Sequence, residues 1–299
     1  MVLFNHNFNP VAKIKNIQIT TPKRFLLNGL FIVPESAKTI YIFIHGLEGS
    51  VFSQVVITQM LATNNAGVLS FNNRGANIIS KVYQRNKKDV ISHEIGTAHE
   101  HFIDCVDDID GAVAWASQLS PERIILLGHS TGCNKSVYYL SKRSNSIVKG
   151  VILLAPMSDF ADTFAFTEPK IYNRAVATAK KMVAMGKGEE FLPNNVWGQT
   201  LDAQRFLSLY TPESEEEIFG YASGKKPTRL QKIKVPLCVV LAENDKYADR
   251  PIVQISEWFY ETLCEQNALV KVVASAPHNF SGTENEVKKI IVSWLSTIT

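Results

Sequence analysis

Short apolar runs alternate with longer amphipathic stretches along most of the chain. This is the pattern of a mainly parallel sheet covered by helices on both faces. Two opening strands are predicted near residues 14–19 and 25–33, with Thr21-Pro22 as the turn between them. The run at 40–44 (IYIFI) is β-branched and aromatic without a polar break, so it reads as a buried strand ending at His45-Gly46. A helix over 52–63 and a strand over 67–71 follow, and 72–93 reads as polar and irregular. Phe102, Val106, Ile109, Val113 and Ala116 fall on one stripe of a long helix predicted from about 98 to 119. Pro121 introduces a strand at 123–127, followed by a helix at 130–141 and a strand at 148–154. Toward the end come a strand at 236–242, a helix at 252–264 and a short strand at 270–273. Thr283-x-x-Glu286 reads as a capping box opening a last helix with Val287, Ile290, Ile291, Trp294 and Leu295 on one face.

Between 158 and 230 the alternation stops. This stretch is richer in Lys, Glu, Ala and aromatic residues and reads as helices without strands, so a helical cap over the sheet is expected there. Residues 1–157 and 231–299 then form one core domain. Phe160, Phe164, Phe166, Phe191 and Trp197 would supply either an apolar wall for an acyl pocket or the insertion's own core.

Composition changes little in this picture. Hydrophobic residues make up 45% of the 299 and charged residues 20%, as in an ordinary globular protein, and the formal charge is only +3. With no basic block, neither nucleic acid nor an anionic membrane is an expected partner. Residues 1–13 contain no apolar stretch of signal-peptide length, and no apolar run nears the ~18 residues of a membrane span, so a cytoplasmic location is expected. Cys105, Cys133, Cys238 and Cys264 lie far apart in segments that read as buried, and are expected to be reduced packing thiols. Monomer and homodimer stay equally open.

The chemistry is carried by Gly128-His129-Ser130-Thr131-Gly132, a G-x-S-x-G run placed directly between a predicted strand and a predicted helix. A serine at such a turn sits in a strained conformation, and glycine on both sides removes Cβ atoms that would collide with neighbouring segments. Serine needs a base, and His278 lies in a loop between the last predicted strand and the last helix. A plain exposed loop histidine is the simpler alternative. Asp245, just after the strand at 236–242, completes the order Ser…Asp…His; Asp249 and Asp159 are the weaker candidates for the acid. Two backbone donors are expected for an oxyanion, the N–H of Thr131 and that of Leu47 in His45-Gly46-Leu47-Glu48-Gly49. Arg74-Gly75 would brace these loops or form a surface turn, and His129 is expected to pack on the far face of the elbow. Cys133 reads as packing, and His93, His99 and His101 match no defined zinc spacing, so neither metal nor cofactor is expected.

Taken together these residues resemble the α/β-hydrolase superfamily. Within it, Gly128-His129-Ser130-Thr131-Gly132-Cys133 is similar to the G-H-S-T-G-x run of the siderophore-esterase-like hydrolases of fungi and plants. Glu100-x3-Asp104-Cys105-x-Asp107-Asp108-Ile109, Ala155-Pro156-Met157-Ser158-Asp159, Arg205-Phe206-Leu207-Ser208-Leu209 and Asn244-Asp245-Lys246-Tyr247 also resemble segments of that family. The last of these is the segment that carries the triad acid there, which favours Asp245. The chain departs from the pattern in having Lys246 after the acid, Asp249 in place of proline and Ala242 in place of glycine. The resemblance implies an α/β-hydrolase fold and hydrolysis of a carboxylic ester; the aromatic residues of 158–230 suggest a partly apolar acyl group. A thioesterase, amidase or acyltransferase would use the same three side chains, and a silent ligand-binding protein of this fold is the non-enzymatic alternative.

Overall fold

The computed structural model describes residues 13–144 and 147–298. The segment expected to lack a signal peptide thus lies almost wholly outside the described residues. Ten strands among them form one sheet. The first three are β1 (Lys13–Thr20), β2 (Phe25–Val33) and β3 (Thr39–Ile44). After helix α1 (Val55–Leu61) come β4 (Ala66–Phe71), β5 (Ser80–Arg85) and β6 (Val90–Ile95). Helix α2 (Cys105–Ser117) leads to β7 (Arg123–His129), α3 (Thr131–Lys142) and β8 (Val148–Leu154). Helices α4 (Asp159–Phe166), α5 (Pro169–Ala184), α6 (Ala203–Tyr210) and α7 (Thr228–Gln231) separate β8 from β9 (Leu237–Asn244). The chain ends with α8 (Ile252–Thr262), β10 (Ala268–Pro277) and α9 (Glu284–Thr297).

The sheet runs β10-β9-β8-β7-β3-β4-β2-β5-β6, with β1 on β2. All pairings from β10 to β4 are parallel, and those made by β1, β2, β5 and β6 are antiparallel. The central strands are apolar on both faces because helices cover both. Ile40, Ile42 and Ile44 join α2, α3 and α8 in one core, while Tyr41 and Phe43 join α1 and α9 in the other. This two-residue alternation divides β7 and β8 the same way, with Leu126 and Leu153 on one side and Leu127 and Leu154 on the other.

Several expectations need correction. The helix expected from about 98 to 119 starts only at Cys105; before it lie two 3-10 turns, Thr97–His99 and Phe102–Asp104, separated by extended backbone at Glu100 and His101. That break turns the Glu100 carboxylate inward, 2.5 Å from Lys135 Nζ and 2.8 Å from Arg205 Nη2. The stretch expected to be irregular holds the hairpin β5–β6, whose side chains are mostly exposed and so carry no apolar alternation. Helix α1 begins three residues late, because Gln54 takes a left-handed conformation. The capping box does not form: the Thr283 hydroxyl donates to the Phe280 carbonyl instead. Cys264 is exposed, beyond the end of α8, whereas Cys105, Cys133 and Cys238 are buried and free.

The helices between β8 and β9 have a small core of their own, built on Phe160, Tyr172, Phe206 and Tyr210. Leu47, from the loop after β3, packs against it.

Candidate active site

The turn from β7 into α3 carries the site's most constrained residue. Ser130 has φ 55° and ψ −128°, a left-sided conformation that costs a non-glycine residue about 1–3 kcal/mol and persists only where packing enforces it. The flanking glycines show how tight the turn is. A Cβ on Gly128 would lie 2.5 Å from the Gly132 carbonyl oxygen, and a Cβ on Gly132 2.1 Å from that of Ile44. Both positions therefore exclude every other residue unless the backbone moves. Ser130 stands at the N-terminal end of α3, and the N–H of Thr131, its first residue, has no hydrogen-bond partner among the described residues.

A second loop closes on this turn. A Cβ on Gly46 would meet Ser130 Cβ at 2.8 Å and the His129 carbonyl at 2.9 Å. His45 Nε2 accepts the Asn73 N–H (3.3 Å), so its proton sits on Nδ1, which donates to the Gly46 carbonyl at 2.9 Å. Gly49 N–H donates to the same carbonyl at 3.1 Å. With the carbonyl held from one side, the planar trans peptide directs the Leu47 N–H to the other, where it too lacks a partner among the described residues. Burial, and next the Lys135 charge, lower the His45 pKa to about 4, so the ring is neutral at physiological pH.

His278 follows β10, and its Nδ1 lies 2.7 Å from Asp245 Oδ2, just beyond β9. The structure therefore brings Asp245, and neither of the two weaker candidates, onto the imidazole. Asp249 is bound by the Arg250 guanidinium at 2.7 Å, and Asp159 faces the cleft with no hydrogen bond to His278. The Tyr247 ring stands edge-on to His278 at 4.8 Å between centroids. Ser130 and His278 line the same cleft of about 500 Å³, together with Leu47, Met157, Asp162 and Tyr210. Among the described residues no hydrogen bond joins the Ser130 hydroxyl to the His278 ring.

His129 does not sit on the far face of the elbow as expected; it lines the cleft. Its Nε2 is 3.0 Å from the His278 carbonyl, which can only accept, so Nε2 carries the proton. The Gln54 side-chain amide lies 3.0 Å from the same nitrogen. Burial, and next the neighbouring His278, lower the His129 pKa to about 4, which keeps it neutral. The tie between the residue before Ser130 and the loop carrying His278 left no sequence signal, because it is made by a backbone carbonyl of a distant residue.

Arg74 is no surface turn. It is buried and bound by Asp104, Asp107 and Asp108 of the α2 region, while Asn73 beside it accepts from Lys135. Cys133 donates to the Gly128 and Leu154 carbonyls, both at 3.3 Å, and its thiol is held well above the usual range by burial. His93, His99 and His101 bond to Gln84, Asp202 and Gln204 respectively. No group of three or more His, Cys, Asp or Glu side chains with metal-binding geometry occurs among the described residues. Nor, among them, is any helix long and apolar enough to cross a membrane. Of the five aromatic residues considered for an acyl wall, none lines the cleft: Phe160 and Trp197 belong to the helical segment's own packing, and Phe164, Phe166 and Phe191 are exposed.

Solved structures place this architecture. The siderophore hydrolase EstB from Aspergillus fumigatus superposes with a TM-score of 0.65 at 16% identity, covering 96% of this chain and 98% of that one. The Pyrococcus furiosus esterase PF2001 gives 0.60 at 16% identity, with 96% and 92% covered. Est1E from Butyrivibrio proteoclasticus, solved with ferulic acid bound, gives 0.59 at 16% identity, with 94% and 98% covered. The fold is that of the α/β-hydrolases. Within it, the chain belongs to the family described as "Protein of unknown function (DUF1749)", whose model matches residues 96–298. No match is found among curated protein sequences.

Proposed function

We propose that this protein is a serine hydrolase that cleaves a carboxylic ester through an acyl-enzyme intermediate. The observation that carries the reading is the strained serine at 130 opening onto the same cleft as the His278–Asp245 pair. Ser130 Oγ attacks the ester carbonyl carbon while its proton passes to His278 Nε2, a contact that tightens once substrate is bound. Asp245 receives the Nδ1–H of His278, fixes the tautomer and stabilises the charged ring. The negative oxygen takes the N–H groups of Leu47 and Thr131, each such donor contributing about 2.7–4 kcal/mol. Collapse breaks the C–O bond, and the leaving alcohol takes the proton back from His278. Water then attacks the acyl carbon, gives a proton to His278, and restores Ser130 as the acid leaves.

On this reading residues 158–230 act as the cap. They bring Asp159, Asp162, Gln199 and Tyr210 to the cleft, and Leu47, Met157 and Tyr210 give a small acyl group its partly apolar wall. The test is turnover of p-nitrophenyl acetate and butyrate beside an acyl-CoA and a p-nitroanilide. We expect the esters to be cleaved and Ser130→Ala to lose at least about 10³-fold of that rate with its thermal unfolding unchanged. Retained activity in Ser130→Ala, or turnover of the thioester or anilide alone, contradicts the proposal.

A further inference from the structure

Three carboxylates line the cleft that holds Ser130 and His278: Glu48 after β3, and Asp159 and Asp162 in the first turn of α4. No lysine or arginine is among the residues lining it. The buried cations nearby are committed elsewhere, Arg205 to Glu100 and Glu216 and Lys135 to Glu100. The half-exposed Arg250 is held by Asp249, and the exposed Lys246 lies over the Tyr247 ring. Glu48 accepts only from the neutral Gln199 amide at 3.2 Å. Asp159 and Asp162 have no ion-pair partner among the described residues, and Asp159 Oδ2 is sealed from solvent with no hydrogen bond among them either.

The start of a helix favours acids, so the α4 dipole accounts for their presence in its first turn. It does not account for a sealed, unpartnered carboxylate oxygen in a reaction cleft, nor for a cleft wall of one sign. Burial holds the Asp159 pKa well above the carboxylate range, and Asp162 is pushed up to about 6 by burial and then by Asp245. Burial leads both shifts, and the positive groups that act the other way, Arg205 on Asp159 and His278 and Lys246 on Asp162, do not cancel it. Once ionised, the wall also works against the chemistry proposed above, because carboxylates repel the oxyanion that forms on Ser130. A positive charge on the substrate resolves both conflicts by pairing with the acids and offsetting the reacting oxygen.

We propose that the cleft takes an ester bearing an ammonium group, which Asp159 and Asp162 hold. The proposal rests on the serine-hydrolase reading and deepens it. Two matched ester pairs test it, one for each side of the scissile bond. Acetylcholine is compared with 3,3-dimethylbutyl acetate, and p-nitrophenyl 4-(trimethylammonio)butyrate with p-nitrophenyl 5,5-dimethylhexanoate; each pair differs by a charged nitrogen in place of carbon. We expect kcat/KM for the cationic member of at least one pair to exceed that of its isostere by tenfold or more. In Asp159→Asn/Asp162→Asn the ratio should fall towards one. A role confined to helix stability would lower the unfolding temperature of that variant and leave the ratio as in the wild type. Binding of choline to Ser130→Ala, followed by calorimetry, reads the same site without catalysis and should vanish in the triple variant. Neutral esters cleaved as fast as cationic ones, with no choline bound, overturn the cationic substrate while leaving the hydrolase standing. Choline bound with no ester cleaved sinks the hydrolase reading and keeps the cation site.

Discussion

At the scale of single residues, the site depends on positions where one atom more would not fit. Gly46, Gly128 and Gly132 are each closed off by backbone of another segment, so the loop after β3, the end of β7 and the start of α3 lock together around Ser130. His129 adds a hydrogen bond from this locked turn to the loop carrying His278. Burial, rather than that bond, keeps the ring neutral, and the pH dependence follows. The pKa of His129 is near 6.5 in the unfolded chain and about 4 when folded, so between these values the unfolded state binds more protons. Its contribution is fully present above about pH 6.5 and is lost as pH falls toward 4. Wild type should therefore lose about 2 kcal/mol relative to His129→Gln between pH 7 and pH 5, as measured by urea unfolding at each pH. A difference between the two proteins that does not change with pH would show that the ring is not buried as a neutral group.

At the scale of elements, the buried carboxylate of Glu100 joins the core to the helical segment, with Lys135 of α3 on one side and Arg205 of α6 on the other. Arg205 also holds Glu216 at 2.5 Å and the Thr97 carbonyl at 3.2 Å. Neutralising the central acid leaves two buried cations short of a partner. Glu100→Gln should therefore lower unfolding stability by about 3–5 kcal/mol in urea, and a loss under about 1 kcal/mol would contradict the network. This network also explains where sequence patterning stopped being informative. Strands β2 and β8 match their expected bounds because dense apolar runs, broken only at Asn28-Gly29 and Lys149-Gly150, lie between turn residues. The stripe from Phe102 to Ala116 suggested one long helix, yet the polar Glu100 at its head is pulled inward by partners 35 and 105 positions away. No local pattern encodes such a demand. The β5–β6 hairpin escaped for the converse reason, as Val82 is the one buried residue in β5 and β6 has none.

At the scale of the whole molecule, the sheet does the gathering. β7, β9 and β10 are close in the strand order, and the segments leaving their ends carry Ser130, Asp245 and His278. Ligand sites of open α/β sheets form outside the carboxyl ends of the strands, where loops on adjacent strands converge. The strand-to-helix glycine motif pointed to Ser130 from local sequence, and chain order with the family resemblance favoured Asp245 over Asp249 and Asp159; the structure adds the 2.7 Å contact between Asp245 and His278. The character of the cleft could not be read from the sequence at all: the aromatic residues of the helical segment pack among themselves or face outward, and acids take the wall instead. The proposed hydrolysis requires Ser130 to be an activated nucleophile. The most direct measurement is labelling of the native protein with a fluorophosphonate and location of the adduct by peptide mass spectrometry. We expect one adduct, on Ser130, lost in His278→Ala; an unlabelled protein, or an adduct on any other residue, would overturn the serine-hydrolase reading.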